Sequence, residues 1–122
     1  MIVGLGVDLV PISRLEGMIE RHGERLERKL FTDAERAYAH QHARPAEQLA
    51  ARFAAKEAAL KALDVPPNLR WHELEVAMRG RAPELRLHGR AARAAQGRGV
   101  RRAHLTLTHA ADTALAVVVL EG

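Results

Sequence analysis

The sequence predicts an α+β protein, in which a mainly antiparallel sheet packs against one long helix and several shorter ones. Three observations predict it. The segments run strand, helices, two strands, helix, two strands, an order that segregates helices from antiparallel pairs. The stretch "RFAAKEAALKAL" at 52–63 is an alanine-rich helix former. The closing stretch "RAHLTLTHAADTALAVVVLEG" holds two runs with apolar alternation around a short turn. With 122 residues, the chain is expected to form one domain, 1–122, around one core.

Each element has its own signal. Residues 1–10 read as a strand that is apolar on both faces and therefore central in its sheet. Pro11 ends it. Ser13 is the expected N-cap of a helix over 14 to about 30, with Glu16 completing a capping box and Gly23 as a point of breakage. Thr32 caps a second helix, with Glu35 at the matching position. A third and longer helix spans Ala46 to Leu63 and stops at "DVPPN". "WHELEVAMRG" and "PELRLHG" read as two strands around a turn at Gly80–Pro83. "RAARAAQGRG" is a short helix ended by glycine, and the last two strands turn near Ala110–Asp112.

Composition narrows the function. There is no cysteine, which removes a disulfide framework, a thiolate metal site and cysteine catalysis, and suits a reducing cytoplasm. "MIVGLGVDLV" is too short for a signal peptide, and no stretch has the length of a membrane span. A cytoplasmic protein without membrane contact is expected. The formal charge of +4 favours an anionic partner. Aromatic residues make up 3% of the chain, too few for the stacking platforms of single-stranded nucleic-acid binders. A basic nucleic-acid-binding module is thus the weaker alternative, and no nucleic acid is expected as partner.

Three positions stand out chemically. Asp8 ends an apolar strand, where a carboxylate either caps the next helix or needs a cation. Glu57 and Lys61 share a helical face at i, i+4, which alone reads as an ordinary stabilising ion pair. A metal offers another reading. Mg²⁺ is commonly held by one or two carboxylates, with water and phosphate oxygens filling the remaining positions. Asp8 and Glu57 would suit such an open site, with Lys61 near a phosphate.

"GLGVDLVPISRL" at 4–15, "RFAAKEAALKAL" at 52–63 and "LTLTHAADTALAVVVLE" at 105–121 resemble the signature segments of the holo-acyl-carrier-protein synthases, in the 4'-phosphopantetheinyl transferase superfamily. The resemblance spans nearly the whole chain, whose length also suits the short, trimeric bacterial type. It implies transfer of 4'-phosphopantetheine from coenzyme A to a serine of an apo acyl carrier protein, releasing adenosine 3',5'-bisphosphate. It further implies Asp8 and Glu57 as ligands of Mg²⁺ and Lys61 as the neutralising cation, these three forming the catalytic set. A non-catalytic coenzyme A-binding protein of the same fold is the second alternative.

The same resemblance places coenzyme A against Arg52, Lys56, Lys61 and Arg44, the turn residues Gly80, Arg81 and Pro83, and the pair Thr108 and His109. The turn reads "GRAP", with Ala82 as an extra residue against the family's pattern, and Ala110 stands where some relatives carry Asp. Wound at 100° per residue, the first helix puts Arg14, Arg21, Arg25 and Arg28 on one line with Met18 among them. Leu15, Ile19, Leu26 and Leu30 form the core-facing line. Acyl carrier proteins are acidic, so Arg14, Met18, Arg21 and Arg25 are the expected carrier contacts. By resemblance the chain forms a homotrimer with sites at subunit interfaces, and the apolar strand "ALAVVVLEG" suits such an interface.

Overall fold

A computed structural model describes residues 1–65 and 68–122. In chain order it contains β1 (Ile2–Pro11), α1 (Ile12–Leu30), α2 (Asp33–Ala39), α3 (Pro45–Leu63), a 3₁₀ turn at Trp71–Glu73, β2 (Leu74–Arg79), β3 (Ala82–Leu87), α4 (Gly89–Gly97), β4 (Arg102–Ala110) and β5 (Thr113–Glu121). The strands form a three-stranded sheet in the order β1-β5-β4 and a two-stranded β2-β3 hairpin. Every pairing is antiparallel. The α+β expectation holds.

The long helix α3 lies on the sheet's inner face, and small residues set how close it comes. Ala54, Ala55, Ala58, Ala59 and Ala62 are buried on the helix, while Ala114, Ala116, Val118 and Leu120 are buried on β5. Gly4 and Gly6 of β1 meet the helix backbone directly. A Cβ built at Gly6 would lie 1.8 Å from the Ala58 carbonyl oxygen, and one at Gly4 2.2 Å from that of Ala62. No other residue fits there. Arg98, at the end of α4, donates to the carbonyls of Ala62 (2.7 Å) and Val3 (2.5 Å), which fastens the same junction.

Three sequence expectations need correction. β1 is not central; it pairs only with β5 and forms a sheet edge. Its inner face meets α3, whereas Leu5, Val7 and Leu9 on the other face are 65%, 49% and 60% exposed. The apolar pattern on both faces therefore marks two packing surfaces, only one of which this chain covers. The helix after β1 begins at Ile12 with Pro11 as N-cap, and Ser13 is not the cap. "WHELEVAMRG" is not one strand, since Trp71–Glu73 coil into a 3₁₀ turn before β2.

Other boundaries follow the expected chemistry. Thr32 caps α2, with the reciprocal Glu35 bond of a capping box. α1 breaks at Gly23, whose φ of 69° and ψ of −160° are non-helical. α3 ends at Asp64 in the left-handed conformation. The remainder of the "DVPPN" stop, Pro66 and Pro67, lies outside the described residues. No helix among the described residues is long and apolar enough to cross a membrane.

Candidate active site

Because α3 sits so close to β1, its side chains at 57 and 61 reach the strand's end. Lys61 donates from Nζ to Asp8 Oδ1 at 3.0 Å and to the Val7 carbonyl at 2.9 Å. Its bond goes across to the strand, which overrides the simple i, i+4 pair with Glu57. Asp8 is only 12% exposed at its side chain. Its second oxygen, Oδ2, is buried and has no hydrogen-bond partner. Glu57 lies beside it. Burial first, and then the charge of Asp8, raise the Glu57 carboxyl above its ordinary range, while Lys61 and Arg14 pull it partly back.

An Asp8 oxygen without a hydrogen-bond partner, beside a second carboxyl whose ionisation is disfavoured by burial and by the Asp8 charge, is a site short of positive charge. A divalent cation supplies that charge, so Asp8 and Glu57 fit the Mg²⁺ ligands expected from the sequence. No group of three or more His, Cys, Asp and Glu side chains suited to a metal occurs among the described residues. A cation between this pair would therefore complete its coordination with water and substrate oxygens.

The carboxylates open onto a cavity of about 240 Å³, lined by Asp8, Leu9, Val10, Pro11, Arg14, Leu15, Met18, Phe53 and Glu57. The structure thus brings the two expected metal ligands together with Arg14 and Met18 of the expected carrier face. Arg21 lies exposed further along α1. Arg25 and Arg28 follow the break at Gly23, which ends the helical phase that would align them with Arg14 and Arg21. Arg28 instead pairs with Glu24 at 3.3 Å. Arg25 is therefore removed from the carrier stripe.

The expected coenzyme contacts divide. Lys56 is fully buried: its ammonium donates to the carbonyls of Trp71 (3.0 Å) and Leu74 (2.7 Å) and pairs with Glu35 at 2.8 Å. All three donors are spent inside the core, so Lys56 is not a phosphate ligand. Arg52 is also buried, with its guanidinium carbon 4.2 Å from the Tyr38 ring centre. Its Nη1 donates to Gln48, but its Nε has no partner. Arg52 lines a second cavity, of about 200 Å³, with Tyr38, Gln48, Met78, Arg81, Pro83, Thr106 and Leu107.

The turn between β2 and β3 consists of Gly80 and Arg81, with Gly80 at φ +64°. Ala82 pairs with Arg79 in the ladder, so the residue that looked inserted is the first of β3. Arg44 is exposed and engaged by Glu16 at 3.2 Å, with Asp112 at 3.7 Å. The Glu16 bond holds its guanidinium in the charged form. His109 approaches Glu47 at 3.3 Å, and Thr108 lies exposed beside Leu115. Tyr38, Gln48, Met78, Phe53 and Val10 were not foreseen as cavity residues. Phe53 and Val10 are apolar neighbours of charged residues within 52–63 and 4–15, whereas Tyr38, Gln48 and Met78 lie outside those segments, and only the folded chain gathers all five.

Comparison with known proteins identifies the family. A family model described as the 4'-phosphopantetheinyl transferase superfamily matches residues 4–118. The holo-[acyl-carrier-protein] synthase of Anaeromyxobacter dehalogenans is 49% identical, over 100% of this chain and 98% of the relative. The crystal structure of holo-[acyl-carrier-protein] synthase from Neisseria meningitidis superposes with a TM-score of 0.88 at 29% identity, covering 100% of both chains. A Bacillus anthracis holo-(acyl-carrier-protein) synthase in complex with CoA (3',5'-ADP) gives 0.76 at 31% identity, covering 98% of this chain and 96% of that one. The chain belongs to the holo-[acyl-carrier-protein] synthase family of the 4'-phosphopantetheinyl transferase superfamily.

Proposed function

We propose that the protein transfers 4'-phosphopantetheine from coenzyme A to a serine of an apo acyl carrier protein and releases adenosine 3',5'-bisphosphate. The single observation that carries this is the buried Oδ2 of Asp8, without a hydrogen-bond partner, beside the Glu57 carboxyl, with Lys61 Nζ 3.0 Å from Asp8 Oδ1. In the transfer, the serine oxygen bonds to the β-phosphorus of coenzyme A as the bond to the bridging oxygen breaks and the nucleotide leaves. Such transfers depend mostly on positioning and on neutralising charge. Bound between Asp8 and Glu57, Mg²⁺ would supply that neutralisation at the diphosphate. Lys61, 56% exposed at its side chain, offers a cation to the phosphate that leaves. Arg14 and Met18, on the wall of the same cavity, face the incoming acidic carrier.

Three facts support a coenzyme site at the second cavity. It holds an unpartnered Arg52 nitrogen, the turn residue Arg81 and the aromatic ring of Tyr38. A nucleotide carrying phosphate suits that lining. The two cavities involve opposite edge strands of the sheet, β1 and β4, with the apolar outer face between them. A homotrimer packed through Leu5, Val7 and Leu9 would cover that face and build each site from neighbouring subunits.

The test is direct. With coenzyme A, Mg²⁺ and an apo carrier, mass spectrometry should find the phosphopantetheine adduct on the carrier. Asp8→Ala and Glu57→Ala should abolish it while far-UV circular dichroism stays unchanged. A wild-type protein that forms no adduct with any cognate carrier sinks the proposal and leaves the non-catalytic alternative.

A further inference from the structure

Helix α1 lacks a cap of its own. Pro11 at the N-cap makes no side-chain bond, and the first turn contains no acidic residue. The orphan N–H groups at a helix start must still be satisfied. Here a residue from the far end of the chain does it. Asp112, in the β4–β5 turn, accepts the Ile12 N–H on its main-chain oxygen at 2.7 Å. Its carboxylate accepts the Ser13 N–H on Oδ1 at 3.1 Å and the Ser13 hydroxyl on Oδ2. The hydrogen bonds from Ser13 hold this carboxyl below its usual range. Arg44, itself bonded to Glu16 one turn along α1, closes the cluster against Asp112 at 3.7 Å.

We propose that Asp112 is a positioning residue for carrier recognition, acting as the N-cap of α1 from outside the helix and fixing the turn that carries Arg14. The first turn delivers Arg14 and Leu15 to the cavity wall opposite Glu57. Loss of this cap lets the turn fray and moves Arg14 off the line it shares with Met18. The negative charge also lies at the positive end of the helix, where it is favourable. The neighbouring residues of the same hairpin, Thr108 and His109, are not needed for this role. The inference rests on the proposed docking of the carrier at α1.

The experiment separates the two ideas. Three variants, Asp112→Ala, Asp112→Asn and Arg14→Glu, are compared with the wild type for the KM of carrier, the KM of coenzyme A, and amide exchange over 12–16. For Asp112→Ala the carrier KM should rise about fivefold, the loss expected when a cap is removed. The KM of coenzyme A should stay within about twofold, and exchange over 12–16 should quicken. Asn retains an acceptor for the Ser13 N–H and should restore most of the carrier KM. If Arg14→Glu raises the carrier KM but Asp112→Ala leaves it and the exchange unchanged, the positioning role is overturned. An equal rise in both KM values for Asp112→Ala overturns it too, because the effect would not be confined to the docking helix. If Arg14→Glu itself has no effect, the docking reading fails and takes this inference with it.

Discussion

Lys56 and Glu35 form an ion pair with no exposure at either side chain, Nζ to Oε1 2.8 Å. The pair is satisfied from every side. Glu35 also accepts the N–H groups of Thr32 and Val76, each at 2.8 Å, and Lys56 takes the carbonyls of Trp71 and Leu74. One contact thereby ties α2, α3 and the start of β2 together. Burial pushes the Lys56 ammonium below its ordinary range, and the charge of Glu35 and its hydrogen bond oppose that push.

Removing one partner strands the other charge in the core. Lys56→Met should cost about 3–5 kcal/mol in urea unfolding, the range for a broken buried pair. Any protein that remains folded should keep its KM for coenzyme A. A variant with wild-type stability and a raised coenzyme KM would restore Lys56 as a phosphate contact.

Glu57 sets a pH dependence with a definite sign. Burial, and then the charge of Asp8, raise its carboxyl above the ordinary 4.5, which disfavours the ionised form in the fold. Its contribution to stability is present at low pH and is lost as pH rises through the raised value. Cation binding needs the ionised pair, so the gain in Tm on adding MgCl₂ should be small near about pH 5 and grow towards about pH 8. Thermal shift across that range checks it; a gain independent of pH contradicts the assignment.

Glu57→Gln separates stability from function. Without metal it removes the repulsion from Asp8 and should raise Tm by roughly 2–4 °C, while abolishing carrier modification. Differential scanning calorimetry and the adduct assay report the two effects independently. A lower metal-free Tm would show that the carboxylate pair is not strained.

The glycines of β1 set the approach of α3. Gly6→Ala forces a Cβ into the Ala58 carbonyl, a main-chain atom that cannot turn away. A loss of about 1–3 kcal/mol or more in stability should accompany a fall in kcat/KM, because Glu57 and Lys61 move with the helix. Gly97→Ala is the control: a Cβ there meets nothing within 4 Å, and stability should hold or rise slightly.

Val7→Arg places a charge in the middle of the exposed apolar face. If the proposed homotrimer packs through this face, light scattering should show a smaller assembly than for the wild type, with secondary structure retained. A trimer that persists at wild-type strength would locate the interface elsewhere.

The candidate site was legible in the sequence because its members sit in fixed local patterns. Asp8 is a carboxylate within an apolar strand, Glu57 and Lys61 share one helical face, and Thr32 with Glu35 spells a helix start. Features made by distant parts of the chain were not. Lys56 in an alanine-rich helix reads as solvated charge, and only its meeting with Glu35, 2.8 Å away in the fold, reveals it as core. The cap of α1 was assigned to Ser13 because its real partner, Asp112, is 99 residues further on. The edge position of β1 was hidden for a different reason: hydrophobic patterning registers that a face is apolar, but not which molecule covers it.

The break at Gly23 divides α1 mechanically. Beyond it, Glu27 is gripped by His40 at 2.5 Å and Arg36 at 3.3 Å, which anchors that half to α2. Before it, the half that carries Arg14 and Met18 is held at its first turn by the hairpin at Asp112. The joint between the halves is a single residue without a side chain, at a positive φ that glycine adopts without strain. The two halves of α1 are therefore fastened to different parts of the fold, the leading one to the β4–β5 hairpin and the trailing one to α2, with only Gly23 between them.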